Sequence, residues 1–212
     1  MTEEEYILSH IDAEPPLLAR IDHDTHVRMI YWHMCSGHLQ GRLLKMLVRM
    51  TGARKVLEIG TFSAYATLCL AEGMADDACH VDTIELNDET EDFIRDNLAA
   101  SPYGCRVSLH IGDARDVIAT LPADYDLIYI DANKRQYVDY YEPALAHLRD
   151  GGFLVADNTL WADKVIDPDC HDAQTEGIRA FNDLVAADTR VEKVILPLRD
   201  GLTLIHKLPV SV

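Results

Sequence analysis

Positive charge is scarce in this chain. Lysine and arginine total 19 against 36 acidic residues, a formal charge of −17 over 212 residues. Such a balance opposes non-specific attraction to nucleic acid or to anionic membrane surfaces, although a local basic patch would escape that argument. Long apolar runs are also missing: nothing approaches the roughly 18 consecutive apolar residues of a membrane span. The opening Met1-Thr2-Glu3-Glu4-Glu5 is acidic where a secretory signal would be basic, so the expected compartment is the cytoplasm. Five cysteines (Cys35, Cys69, Cys79, Cys105 and Cys170) are odd in number and lack the close pairs of zinc or redox motifs, so reduced packing thiols are expected. Repeats, low-complexity tracts and flexible linkers are absent too. What is present is 48% hydrophobic residues, enough for one well-buried core and no obvious excess for a second. Residues 1–212 therefore read as a single domain, with helices over 1–51 ahead of a core over 52–212.

Within that core, short β-rich runs at 55–59, 81–86, 106–111, 125–130 and 152–156 alternate with helical stretches at 65–73, 89–100, 114–120 and 137–148. Alternation of this kind predicts a doubly wound α/β layout, a parallel sheet covered by helices on both faces. After a further helix near 175–187, two β runs at 191–198 and 202–208 flank Arg199-Asp200-Gly201. An Asp-Gly turn between such runs predicts a hairpin, hence seven strands with the last one antiparallel to its neighbour. Leu39, Leu43, Leu47 and Met50 recur every three or four residues and predict an amphipathic helix over 37–51. Residues 3–30 also look helical, broken at Pro15-Pro16.

In open α/β sheets ligands bind outside the carboxyl ends of the strands, where the winding reverses. The first such end, Leu57-Glu58-Ile59-Gly60-Thr61, turns through glycine into a helix and lets a cofactor approach bare backbone. Glu85 near the second end suits the hydroxyls of a ribose, and Asp113-Ala114 after the third suits an adenine edge. Two cofactor classes fit a ribose-binding acid: dinucleotides and S-adenosylmethionine. A dinucleotide fingerprint wants three glycines, whereas this loop has only Gly60, and Glu58 beside it favours an ammonium group over a pyrophosphate. Asp131 at the fourth end and Asp157-Asn158 at the fifth are hard oxygen donors suited to Mg²⁺, Mn²⁺ or Ca²⁺. Successive strand residues face opposite ways, so Asp157 and Asn158 share one ion only if the chain turns between them. The competing account of Asp-Asn at a strand end is an ordinary turn. The cluster Asp22-His23-Asp24-Thr25-His26 reads as the capped start of a helix rather than as a second metal site.

Several stretches in this order resemble the cation-dependent O-methyltransferases, the family of catechol and caffeoyl-CoA O-methyltransferases, and in particular its small bacterial members. They are Ser36-Gly37-His38-Leu39-Gln40-Gly41, Leu57-Glu58-Ile59-Gly60-Thr61-Phe62, Ile130-Asp131-Ala132-Asn133-Lys134, Asp157-Asn158-Thr159-Leu160-Trp161 and Asp200-Gly201-Leu202-Thr203-Leu204. The resemblance implies a Rossmann-like class I methyltransferase fold and a homodimer. It implies metal ligands at Asp131, Asp157 and Asn158 and a catalytic lysine at Lys134. It places S-adenosylmethionine contacts at Ser36, Glu58, Gly60, Thr61, Glu85, Asp113, Ala114 and Asp131. Trp161 is then a candidate wall for an aromatic acceptor. Departures from the family pattern are Ala64 for a glycine, Ala66 for a serine, Asn133 for an aspartate and Ala162 for an asparagine, the last arguing against caffeoyl-CoA as the acceptor.

The residue types match methyl transfer to a vicinal-dihydroxy aromatic small molecule. A phenolic hydroxyl has a pKa of about 10 and needs activation near neutrality, which a divalent cation and a lysine of depressed pKa would provide. Three other readings stay open at this level. They are methylation of a hydroxylated tRNA base by the same site, a nicotinamide-dependent oxidoreductase, and a binding protein that retains the fold without its chemistry.

Overall fold

A computed structural model describes residues 1–209. Seven strands form one sheet in the order β3-β2-β1-β4-β5-β7-β6. They are β1 (Lys55–Ile59), β2 (His80–Glu85), β3 (Val107–Ile111), β4 (Tyr125–Ile130), β5 (Leu148–Asp157), β6 (Val191–Leu196) and β7 (Leu202–Lys207). The pairs β1/β2, β1/β4, β2/β3 and β4/β5 are parallel, while β7 runs antiparallel to both β5 and β6. The expected antiparallel hairpin and the five parallel strands are thus present. β5 begins earlier than its apolar run, because Leu148 already pairs with Tyr125 and the register shifts before Leu127 pairs with Phe153.

Eight α-helices are described: α1 (Glu3–Leu8), α2 (Pro16–Arg28), α3 (Gly37–Thr51), α4 (Tyr65–Gly73), α5 (Glu91–Ala99), α6 (Ala114–Val117), α7 (Tyr137–His147) and α8 (Ala173–Ala187). The Pro15-Pro16 break is a helix start: Pro15 precedes α2 and Pro16 takes its first turn, where the missing N–H costs nothing. α6 is shorter than the predicted 114–120 because its last residues tighten into a 3₁₀ turn, Ile118–Thr120. Among the described residues no helix is long and apolar enough to cross a membrane.

Side chains alternate across the central strands, as period-2 geometry requires. Val56, Leu127, Tyr129 and Val155 pack on the face covered by α2, α3 and α4, with Leu44, Val48, Tyr65 and Leu68. Leu57, Ile128, Ile130 and Leu154 face α7 and α8, with Tyr137, Tyr141, Ile178 and Phe181. Both faces are buried, which is why the central strands read as nearly continuous apolar runs. The winding reverses between β1 and β4, and the cleft opens there.

Candidate active site

Consecutive backbone hydrogen bonds step across the strand ends: Gly60 N to Ile84 O at 2.9 Å, Gly112 N to Glu85 O at 2.8 Å, and Asp131 N to Ile59 O at 2.9 Å. Gly60 is required at its place. Its φ is +103°, and a Cβ there would lie 2.1 Å from the Asp131 carbonyl oxygen, inside any permissible contact. The turn after β1 therefore fits directly against the end of β4. Above these ends lies a cleft of about 1000 Å³, at the upper end of the roughly 300–1,000 Å³ usual for ligand pockets.

Ser36, Gly60, Thr61, Glu85, Asp113 and Ala114, all read from the sequence as cofactor contacts, line the cleft. Glu85 holds two loops together: Oε2 accepts from Phe62 N (2.7 Å) and Oε1 from Asn87 N (2.8 Å). A carboxylate has about four lone-pair sites, so acceptor capacity remains for two hydroxyls. Asp113 caps α6 and binds Arg115, whose side-chain hydrogen bonds hold its carboxyl below the usual range. Glu58 is placed differently. It is fully buried and is not among the lining residues, its Oε2 accepting from the hydroxyls of Thr67 and Thr83. Thr83 in turn bonds Thr61 at 2.6 Å. Glu58 Oε1 has no partner, and burial pushes the carboxyl pKa up to about 8.

At the other end of the cleft the structure brings Asp131, Lys134, Asp157, Asn158 and Trp161 together. Lys134 Nζ donates to Asp131 Oδ1 (2.7 Å) and to Tyr137 Oη (2.9 Å), and Tyr137 Oη donates to the Asp157 carbonyl (3.0 Å). Asp157 Oδ2 accepts from Gln40 Nε2 and from Tyr129 Oη (3.1 Å). Its Oδ1 accepts from Asn158 N at 2.7 Å. Gln40, Tyr129 and Tyr137 thus hold this corner, and none of them was singled out from the sequence. Tyr129 and Tyr137 were indistinguishable from packing aromatics, and Gln40 sits on a helix far away in sequence. Burial, with the neighbouring Asp131 charge, raises the Asp157 carboxyl above its usual range. For Lys134, burial acts to depress the ammonium, but the Asp131 and Asp157 charges outweigh it and its pKa stands above the ordinary value.

The chain does turn at Asn158, whose φ is +58°, as a shared ligand pair demands. Among the described residues eight non-glycine positions have positive φ, and seven of them (Phe62, Ala64, Asn158, Trp161, Ala162, Asp163 and Arg199) lie in the three loops bordering the cleft. Concentrated backbone strain of this kind is a mark of a functional site. Among the described residues no cluster of three or more His, Cys, Asp or Glu side chains is arranged to hold a metal ion; Asp22-His23-Asp24-Thr25-His26 lies in the second half of α2 and not at a capped helix start as expected, because the helix already begins at Pro16. The corner offers two carboxylates and one amide oxygen instead. These are hard oxygen donors suited to a divalent cation, and the Asp131 charge adds to the burial that raises the Asp157 carboxyl.

Parallel strands, a switch-point cleft with a ribose-compatible acid, and an acidic corner holding a lysine define a nucleoside-cofactor enzyme. Comparison with known proteins makes this specific. The family model for O-methyltransferases matches residues 8–208. The probable caffeoyl-CoA O-methyltransferase 1 of Dictyostelium discoideum is 31% identical over 95% of this chain and 87% of its own length. The catechol O-methyltransferase of Niastella koreensis is 29% identical over 75% of this chain and 73% of its own. The O-methyltransferase TomG of Streptomyces achromogenes, involved in tomaymycin synthesis and solved with SAM, superposes with a TM-score of 0.90 at 29% identity, covering 99% of this chain and 100% of that one. An O-methyltransferase from Bacillus cereus solved with SAH gives 0.90 at 29% identity, with 96% of each chain covered. The chain belongs to the O-methyltransferase family.

Proposed function

We propose that the protein is an S-adenosylmethionine-dependent, divalent-cation-dependent O-methyltransferase acting on a vicinal-dihydroxy aromatic small molecule. The observation that carries this reading is the meeting of Asp131, Lys134, Asp157 and Asn158 at one end of a cleft whose other end carries Glu85 and Asp113. The structural relatives solved with SAM and SAH support the choice of cofactor.

In this reading Glu85 accepts from the ribose hydroxyls, Asp113 and the backbone at Ala114 meet the adenine, and Ser36, Gly60, Thr61 and Asp131 receive the amino-acid end. Glu58 acts as a positioning residue, holding the glycine turn through Thr83 and Thr61. The cofactor, when bound, supplies an electrophilic methyl group on a sulfonium. Asp131, Asp157 and Asn158 would hold Mg²⁺ or a similar cation, which when bound lowers the pKa of an acceptor hydroxyl. Lys134 is held protonated chiefly by the adjacent Asp131 charge. With a cation on Asp131 that charge would be offset and the lysine pKa lowered, so that Nζ, after releasing its own proton to solvent, would accept the hydroxyl proton, with Tyr137 Oη fixing its direction. Trp161 walls the acceptor ring.

The test is methyl transfer from S-adenosylmethionine to a panel of catechols, hydroxycinnamoyl esters and hydroxylated tRNA, with Mg²⁺ or with EDTA. Methylation of catechols that stops with EDTA and returns with Mg²⁺ is the expected result; chelator-resistant transfer would falsify the cation's role.

A further inference from the structure

Beyond the vicinal hydroxyls, we infer that Arg199 recognises a carboxylate on the acceptor, making the preferred substrate a dihydroxy aromatic acid. This rests on the catechol reading above. In a chain with almost two acids for every base, arginines find carboxylates easily. Eight of them do so within 4.0 Å: Arg42, Arg54, Arg95, Arg106, Arg115, Arg149, Arg179 and Arg190. Arg199 does not, among the described residues, although Asp200 follows it in the same turn. Its guanidinium reaches only the Cys35 carbonyl, at 3.4 and 3.5 Å, the outer limit of a hydrogen bond. Arg28, another cleft residue, has its guanidinium over the Phe93 ring at 5.7 Å. Arg199 therefore keeps most of its planar donor fork, the geometry that binds a carboxylate bidentately.

Its position decides which part of a ligand it meets. The Asp200 carbonyl accepts from Leu160 N (2.7 Å) and Trp161 N (3.1 Å), so the turn carrying Arg199 lies against the segment that follows Asp157-Asn158. Leu202, three residues on, pairs with Asp157 itself, so at most about 11 Å of chain separates Arg199 from the residue opposite that strand end. Across the cleft, Cys35 joins the guanidinium to the rim that carries Ile30, Tyr31 and Met34, which are 87%, 61% and 50% exposed. An acceptor at this end has an apolar wall for its ring and a cation beside it. A charge of −17 and an acidic corner repel an anionic acceptor elsewhere on the molecule, so a local cation is what such a ligand requires. Because Arg199 lines the same cleft as Asp157, the anion is carried on or close to the ring.

The experiment compares 3,4-dihydroxybenzoate with its methyl ester, which keeps both hydroxyls and removes the charge. Steady-state kinetics are measured with S-adenosylmethionine and Mg²⁺ for the wild type, Arg199→Gln and Arg199→Lys. The expected wild-type preference for the acid in kcat/KM is about ten- to hundredfold, the range of a charge-assisted hydrogen bond, and it should lie mainly in KM. Arg199→Gln should bring the acid-to-ester ratio near one, and Arg199→Lys should restore part of it. A wild-type enzyme that treats acid and ester alike overturns the inference, as does an Arg199→Gln variant that loses both in equal proportion. Failure to methylate either compound, with S-adenosylhomocysteine still binding, would sink the catechol reading and this inference with it.

Discussion

Replacing Glu58 with glutamine measures what a carboxyl group costs in the floor of the site. Glu58 is 0% exposed, with Oε2 bonded to two threonines and Oε1 bonded to nothing. Burial raises its pKa from 4.5 to about 8, the threonines opposing the shift while the Asp131 and Glu85 charges add to it. An acid whose pKa is higher folded than unfolded binds more protons in the folded state between those two values. Stability therefore falls as pH rises from about 4.5 to about 8, and this contribution levels off above that. At about 1.4 kcal/mol per pH unit, the interval from 4.5 to about 8 amounts to at most roughly 5 kcal/mol. That is a large share of the roughly 5–15 kcal/mol of a typical domain. Glutamine does not titrate here and keeps an oxygen for Thr67 and Thr83, but its amide nitrogen falls where Oε1 lacks a partner, costing about 1–3 kcal/mol at every pH. Urea denaturation between pH 5 and 9, without cofactor and with chelator, reads the difference directly. Glu58→Gln should be the less stable protein at pH 5 and should draw level with or pass the wild type by pH 9. Parallel stability profiles for the two proteins would show that Glu58 titrates normally in the fold and refute the reasoning.

Three other expectations concern the corner and the turn beside it. Asp157→Ala should reduce methyl transfer to the chelator-treated background, because both activation and positioning of the acceptor are lost together, the latter alone worth up to roughly 7–11 kcal/mol in favourable cases. Lys134→Gln should lower kcat by about 10²–10⁴-fold, the usual scale of general base catalysis, while calorimetry still detects S-adenosylhomocysteine binding; a loss smaller than tenfold would remove Lys134 as the base. Gly60→Ala forces a Cβ to within 2.1 Å of the Asp131 carbonyl at φ +103°. A lower melting temperature and lost S-adenosylhomocysteine binding are expected, and a variant with the wild-type melting temperature would contradict the contact.

Local patterns carried most of the fold. The β1 and β4 runs, α3 and α4 begin and end where their periodicity places them, because each buries a face whose spacing is fixed by the backbone alone. The Asp200-Gly201 turn likewise specified the antiparallel β6–β7 pair. The strand-end rule located Gly60, Glu85, Asp113, Asp131, Asp157 and Asn158 on one cleft, since in an open parallel sheet every such end faces the same way, and the family resemblance added Ser36, Thr61 and Lys134 to it. What chain order does not contain is the company each residue keeps in three dimensions. Gln40 is 117 residues from the Asp157 it bonds, and Tyr137 is 20 from the Asp157 carbonyl that receives its hydroxyl. Glu58 precedes the glycine turn in sequence just as a cleft residue would, yet the inward pleat of β1 buries it on the threonines of α4 and β2. The sequence by itself determined the architecture and the chemical types at the strand ends, because those follow from local periodicity and turn chemistry. Only the tertiary structure decided which of those groups face the cleft, which are held beneath it, and which, like Arg199, are left with donors to spare, because pairing depends on distances set by packing across the sheet.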